Sequence, residues 1–139
     1  MIIRVLIIFI LLFMKSNVLA NTKFFKEGVN LFNDKKLKEA KFKFEQDIVY
    51  NPKNEKSYLY LSKIFKNFEK KDLVEKNLKT VILLNPKNEE AIYNLAKLKL
   101  EASDYQKSKE LNKKLMIICD KFCEQSKNLK NEIEALSKK

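Results

Sequence analysis

Apolar residues recur along this chain at intervals of three and four and do not alternate. That is the period of helices with one buried stripe, not of half-buried strands. The stretch from Cys123 onward shows it plainly, with Leu129, Ile133 and Leu136 at helical spacing and charges between them. The longest uninterrupted apolar run is Val5 to Met14. The whole chain contains only two prolines, Pro52 and Pro86, and a single glycine, Gly28. These are too few turn residues for a many-stranded sheet protein. The pattern predicts an all-α fold.

The helical pattern also repeats. Asn-Pro-Lys-Asn-Glu occurs at residues 51–55 and again at 85–89, a spacing of 34. Windows at 21–54, 55–88 and 89–122 extend the match. Their fourth residues are Phe24, Tyr58 and Ile92, all large and apolar. Their eighth residues are Gly28, Ser62 and Ala96, all small. The twentieth are Ala40, Val74 and Ser108, the twenty-fourth Phe44, Leu78 and Asn112, and the thirty-second Pro52, Pro86 and Asp120. The chain resembles the tetratricopeptide-repeat family, whose 34-residue helix–turn–helix unit carries this pattern. The third window departs from it at Lys99, Asn112 and Asp120.

Packing explains the pattern without the resemblance. Small residues at positions 8 and 20 let helix A of a unit approach its helix B, and the large ones fill the space beside them. Neither helix buries its stripe alone, so units stack. The pentapeptide is a stop-and-restart signal. Asn51 and Asn85 end a helix B, and Pro52 and Pro86 prevent its continuation. Asn54 and Asn88 then cap the next helix A, with Glu55 and Glu89 where the helix dipole favours acid. The expected organisation is a right-handed solenoid of three units, closed by a capping helix over 123–139.

The first twenty residues form a separate segment. Arg4 precedes the apolar run of ten residues, which is too short to span a bilayer. Val18-Leu19-Ala20 provides small or aliphatic residues at a cleavage site. A signal peptide cut after Ala20 is expected, giving a periplasmic or secreted chain with no membrane span after cleavage. Lys15, between run and site, is an irregularity in this pattern, and an uncleaved anchor is the alternative.

Cleavage removes Arg4 and Lys15, leaving 27 basic and 18 acidic residues, a net of +9. Such an excess raises nucleic acid or an anionic surface as partner. All 27 remaining basic residues are lysines, spread through every segment among acids. Arginine is the residue that reads guanine and grips phosphate with two prongs, so nucleic acid is not expected. Catalysis finds no support either. The chain has no His and one Gly, which removes nucleophile–His pairs and glycine-rich phosphate loops. No enzyme activity, cofactor or metal is predicted.

Cys119 and Cys123 are the remaining candidates for chemistry. Export makes a disulfide plausible, helped by a helix break at residues 120–122 where the repeat places a turn. So short a loop would contribute at most about 2 kcal/mol. Two buried free thiols, or a reactive or metal-binding pair, are the alternatives, although the C-x-x-C spacing of redox motifs is missing.

The resemblance implies a peptide- or protein-binding wall built from helix A. Mapped onto this sequence, its candidates are Phe25, Val29, Phe32, Leu59, Lys63, Lys66, Tyr93, Lys97 and Leu100, with Thr22, Asn33, Lys56, Asn67, Glu90 and Glu101 beside them. Such a wall is aromatic at its N-terminal end and lysine-lined in the middle, which suits an extended peptide with apolar anchors and acidic groups. Packing of Phe25 and Phe32 under the N-terminus is the other reading. Phe25, Val29 and Glu90 stand where the family's chaperone-tail binders carry carboxylate-gripping residues, so that subgroup is not expected. An interaction module is therefore predicted, an adaptor in envelope assembly or maturation. A basic protein held on an anionic membrane or polysaccharide is the second expectation.

Overall fold

The computed structural model describes residues 23–137, and the expected leader lies outside them. Every regular element among the described residues is an α-helix. Residues 23–33 are helical and form α1. Then follow α2 (Leu37–Tyr50), α3 (Glu55–Asn67), α4 (Lys71–Leu84), α5 (Glu89–Glu101), α6 (Tyr105–Ile118) and α7 (Cys123–Leu136). The 34-residue interval of the sequence is written into these limits. Helices α2, α4 and α6 start at 37, 71 and 105, and α3, α5 and α7 at 55, 89 and 123.

The turns keep the same interval. Lys35, Glu69 and Ser103 adopt left-handed backbone, with φ of 62°, 57° and 59°. Each lies just past the end of α1, α3 or α5. The amide of the next residue, Lys36, Lys70 or Asp104, donates back to the carbonyl of Leu31, Phe65 or Lys99. That six-to-one closure satisfies carbonyls which a helix end leaves open. Glycine usually occupies the left-handed position, because it has no Cβ to clash. Here three different side chains occupy it, so the turn is imposed by the packing of the helices it joins.

The described residues form two compact units, one ending at Ser57 and the other beginning at Tyr58. In the first, α1 meets α2 at Gly28. A Cβ there would stand 2.8 Å from Cε1 of Phe44. Phe44 has no exposure, and Phe25 lies against it at 5.9 Å between ring centres. Phe24 stacks on Tyr50 at 5.5 Å, and Lys43 reaches both the Phe24 ring and, at 2.8 Å, Glu27. The end of α2 is fastened to the start of α3 by the fully buried carboxylate of Asp47. It accepts the Ser57 hydroxyl and, at 2.7 Å, the side-chain amide of Asn54. The Asn54 side-chain oxygen caps the helix through the Lys56 N–H.

In the second unit α5 packs on α4 and α6, and α7 packs on α6 and α5. Asn88 caps α5 by accepting the Ala91 N–H at 2.9 Å. The Ser108 hydroxyl donates to the Ala96 carbonyl at 2.8 Å, a contact that two small residues at the crossing permit. The departures from the repeat pattern are compensated locally. Asn112 stands where an aromatic is expected; its amide donates to the Ser126 carbonyl and its oxygen accepts the Ser126 hydroxyl. Lys99 pairs with Glu75 at 2.7 Å. Leu129 and Ile133 of α7 bury Ala96 and Leu100 of α5.

The contact at Gly28 sets a test. Gly28→Ala inserts a methyl 2.8 Å from a fully buried ring, so that one of them must shift, and overpacking of this kind costs about 1–3 kcal/mol. Lys53→Ala, in an exposed turn, should change stability by less than roughly 0.5 kcal/mol. Equal melting temperatures for the two variants would refute the close approach of α1 and α2.

Candidate functional site

The second unit carries a cleft of about 720 Å³, lined by α3, α4, α5 and the turn between α3 and α4. Its floor includes Val74 and Leu78 of α4, both buried, and its walls are polar. Helix α3 supplies Lys63 and Lys66, the turn supplies Lys70, and α4 begins with Lys71. Helix α5 supplies Glu90, Asn94, Lys97 and Glu101. The lysines are not equivalent. Lys63 is paired with Glu90 at 2.7 Å, and Lys97 with Glu132 of α7 at 3.3 Å. Lys66, Lys70 and Lys71 have no carboxylate within 4.0 Å among the described residues. The cleft thus offers three ammonium groups that form no ion pair around an apolar floor, with the carboxylates of Glu69 and Glu101 also on its lining. That arrangement suits acidic groups on a chain with apolar side chains.

The expected wall residues are distributed unevenly. Lys63, Lys66 and Lys97 meet in this cleft. Leu59 and Leu100 do not line a free wall, because both are buried, at 9% and 7% exposure. Leu100 is covered by α7, whose Leu129 and Ile133 take the space a ligand side chain would need. Tyr93 packs against the same cluster and against the Phe122 ring at 5.5 Å. In the first unit Phe25, Val29 and Phe32 are half-buried, and Phe25 faces the Phe44 ring. Lys70 and Lys71 were absent from the sequence reading. They reach the cleft because the left-handed turn at Glu69 reverses the chain there, a conformation that a Glu does not announce.

Cys119 and Cys123 are joined by a disulfide, with Cα atoms 5.2 Å apart, across the break between α6 and α7. Among the described residues no group of three or more acids or cysteines is placed to hold a metal ion. Nor is any helix there long and apolar enough to cross a membrane.

The sequence matches no protein-family model and no characterised relative. Solved structures do match. The first repeat domain of Spaghetti (RPAP3), bound to the HSP90 peptide SRMEEVD, aligns with a TM-score of 0.73 at 14% identity, over 84% of this chain and 93% of that one. The Yersinia enterocolitica type III secretion chaperone SycD, in complex with a peptide of the translocator YopD, aligns at 0.73 and 15% identity, over 85% and 94%. The Sgt2 domain of Aspergillus fumigatus aligns at 0.72 and 16%, over 86% and 83%. The chain has a tetratricopeptide-repeat fold. At these identities the likeness concerns the backbone.

Within that tetratricopeptide-repeat fold, one acid holds the closing helix in place. Glu89 sits in the first turn of α5, and its carboxylate accepts the N–H of Phe122 at 2.9 Å and of Lys121 at 3.0 Å, at the start of α7. The Phe122 N–H above all holds this carboxyl below its ordinary value, against the opposing effect of partial burial. Folding therefore favours the charged form. Its contribution is complete above the unfolded value and is lost as pH falls through the lowered folded value. Glu89→Gln should lower the melting temperature most near neutral pH, and the gap to the parent should close in acid. A gap independent of pH would show that Glu89 does not act through its charge.

Proposed function

We propose that this chain is an exported, non-enzymatic interaction module that takes an extended acidic peptide segment in the cleft between α3, α4 and α5. The observation that carries this reading is the set of three unpaired lysines, Lys66, Lys70 and Lys71, around the floor of Val74 and Leu78. A carboxylate entering the cleft meets ammonium groups that are in no ion pair and outnumber the unpaired acids Glu69 and Glu101 on the same lining, while an apolar side chain has a place beneath them. The peptide-bound RPAP3 and SycD structures support the class of ligand, since they share the fold. With Leu59 and Leu100 packed inside, the apolar anchoring falls to the cleft floor.

Export is supported by the leader pattern before Asn21. Sequencing of the native protein should begin at Asn21; a chain that begins at Met1 would make this a membrane-anchored module instead.

The cleft itself is tested by charge reversal. Lys66→Glu with Lys70→Glu should weaken binding of acidic peptides by about tenfold or more, through lost attraction and new repulsion. Lys76→Glu with Lys109→Glu, on exposed positions that do not line the cleft, should leave binding within about twofold. Titrations of a fluorescent acidic peptide against both variants decide the matter. Equal losses would mean that binding follows total charge, and the cleft reading would fail.

A further inference from the structure

We infer that the second unit carries another interaction surface, at the C-terminal ends of α4 and α6, which docks on an anionic lipid bilayer. Val49, Leu83 and Ile117 are spaced by 34 residues and occupy one position of the repeat. They are 76%, 80% and 85% exposed. Two residues before each stand Asp47, Val81 and Leu115, all fully buried. Two residues are about 200° around a helix, so this position points away from the interior. A solvated face calls for a polar residue there. A lone exposed aliphatic needs no explanation, but a branched aliphatic at the same outward position in every repeat does. Met116, also exposed, widens the patch beside Ile117.

The charges around the two aliphatics of the second unit point to the occupant. Within four residues on either side, Leu83 has Lys79 and Lys87 and no acid. Ile117 has Lys113, Lys114 and Lys121 against Asp120. Lys79 pairs with Glu75 and Lys121 lies beside the Glu89 carboxylate, while Lys87, Lys113 and Lys114 form no ion pair within 4.0 Å among the described residues. An apolar side chain set among lysines matches the boundary between acyl chains and anionic headgroups. Each lysine near such a surface is worth on the order of fivefold in partitioning. A second copy of this chain would bring the same lysines together and repel. The first repeat keeps Val49 and Lys53, but Glu45 and Asp47 lie within four residues of Val49, so the inference is confined to Leu83 and Ile117. These residues do not line the peptide cleft, and the two readings can fail separately.

The chain has no tryptophan, so a single one introduced by Leu83→Trp or Ile117→Trp reports on its own site. The chain from Asn21 onward, the mature protein expected after cleavage, is mixed with phosphatidylcholine vesicles, with or without phosphatidylglycerol. With phosphatidylglycerol the emission should shift to shorter wavelength and be quenched by bromine-labelled acyl chains. Without it, the emission should stay water-like. A Lys66→Trp chain should show neither change. Adding Lys87→Gln and Lys121→Gln to Leu83→Trp should weaken vesicle binding by about tenfold or more. The inference is overturned if both reporters stay water-like while the chain sediments with the vesicles, since binding then runs through another segment. It is equally overturned if the shift ignores lipid charge, or if the glutamine variant binds as its parent does. Failure of the chain to bind these vesicles at all would leave the patch to a soluble acidic protein and end the bilayer reading.

Discussion

Everything in this molecule depends on how closely one helix can approach the next. A helix–turn–helix unit of this length buries its stripe only if a small residue stands at the crossing. Gly28 against Phe44 shows how tight the limit is, since even a methyl would stand only 2.8 Å from the ring. Ser108 at the Ala96 carbonyl is the same approach in the third repeat, here made into a hydrogen bond. Once these crossings are set, the turn geometry follows. Lys35, Glu69 and Ser103 are held at positive φ although none is glycine. Backbone strain of that kind persists only where the surroundings determine it. The same turn at Glu69 brings Lys70 and Lys71 to the cleft.

Much of this was legible in the sequence because the constraint repeats. Small residues at one interval, prolines at the same interval and asparagine caps beside them define the helices and their order. Other features were not legible, for reasons that can be named. The left-handed turns carry no glycine to mark them. Asn112 read as a flaw in the repeat, because its partner Ser126 lies on the next helix and belongs to no shared motif. Glu89 read as a dipole partner of its own helix, whereas its carboxylate caps α7 from more than thirty residues away. Leu59 and Leu100 were assigned to the wall by position alone. Position says which face a residue shares, not what covers it, and α7 covers Leu100.

The lysine excess illustrates the same point for charge. By composition every lysine counts equally. In the fold, Lys63, Lys97 and Lys99 are tied to Glu90, Glu132 and Glu75. Glu75 is held below its ordinary value by Lys79 first and Lys99 second. Exposed pairs of this kind contribute little to stability. Their larger effect is to mark which positive charges stay available to a partner. Of the lysines left over, Lys66, Lys70 and Lys71 line the cleft and Lys87, Lys113 and Lys114 stand near two exposed aliphatics.

The three junctions between repeats are each fastened by different chemistry. At the first, the Asp47 carboxylate is buried with Asn54 and Ser57. One repeat later the same places hold Val81, Asn88 and Ala91, which supply a cap and two apolar side chains. The third uses a disulfide and Glu89. Repeats with nearly the same backbone could in principle stack in the wrong order during folding, a known hazard of such chains. Here the first boundary is marked by a buried carboxylate that Asn54 and Ser57 satisfy, whereas Ala91, one repeat on, has no hydroxyl to offer. Loss of a partner to a buried charge is heavily penalised. The polar junction therefore makes the first boundary chemically unlike the second, although the backbone of the two is nearly the same.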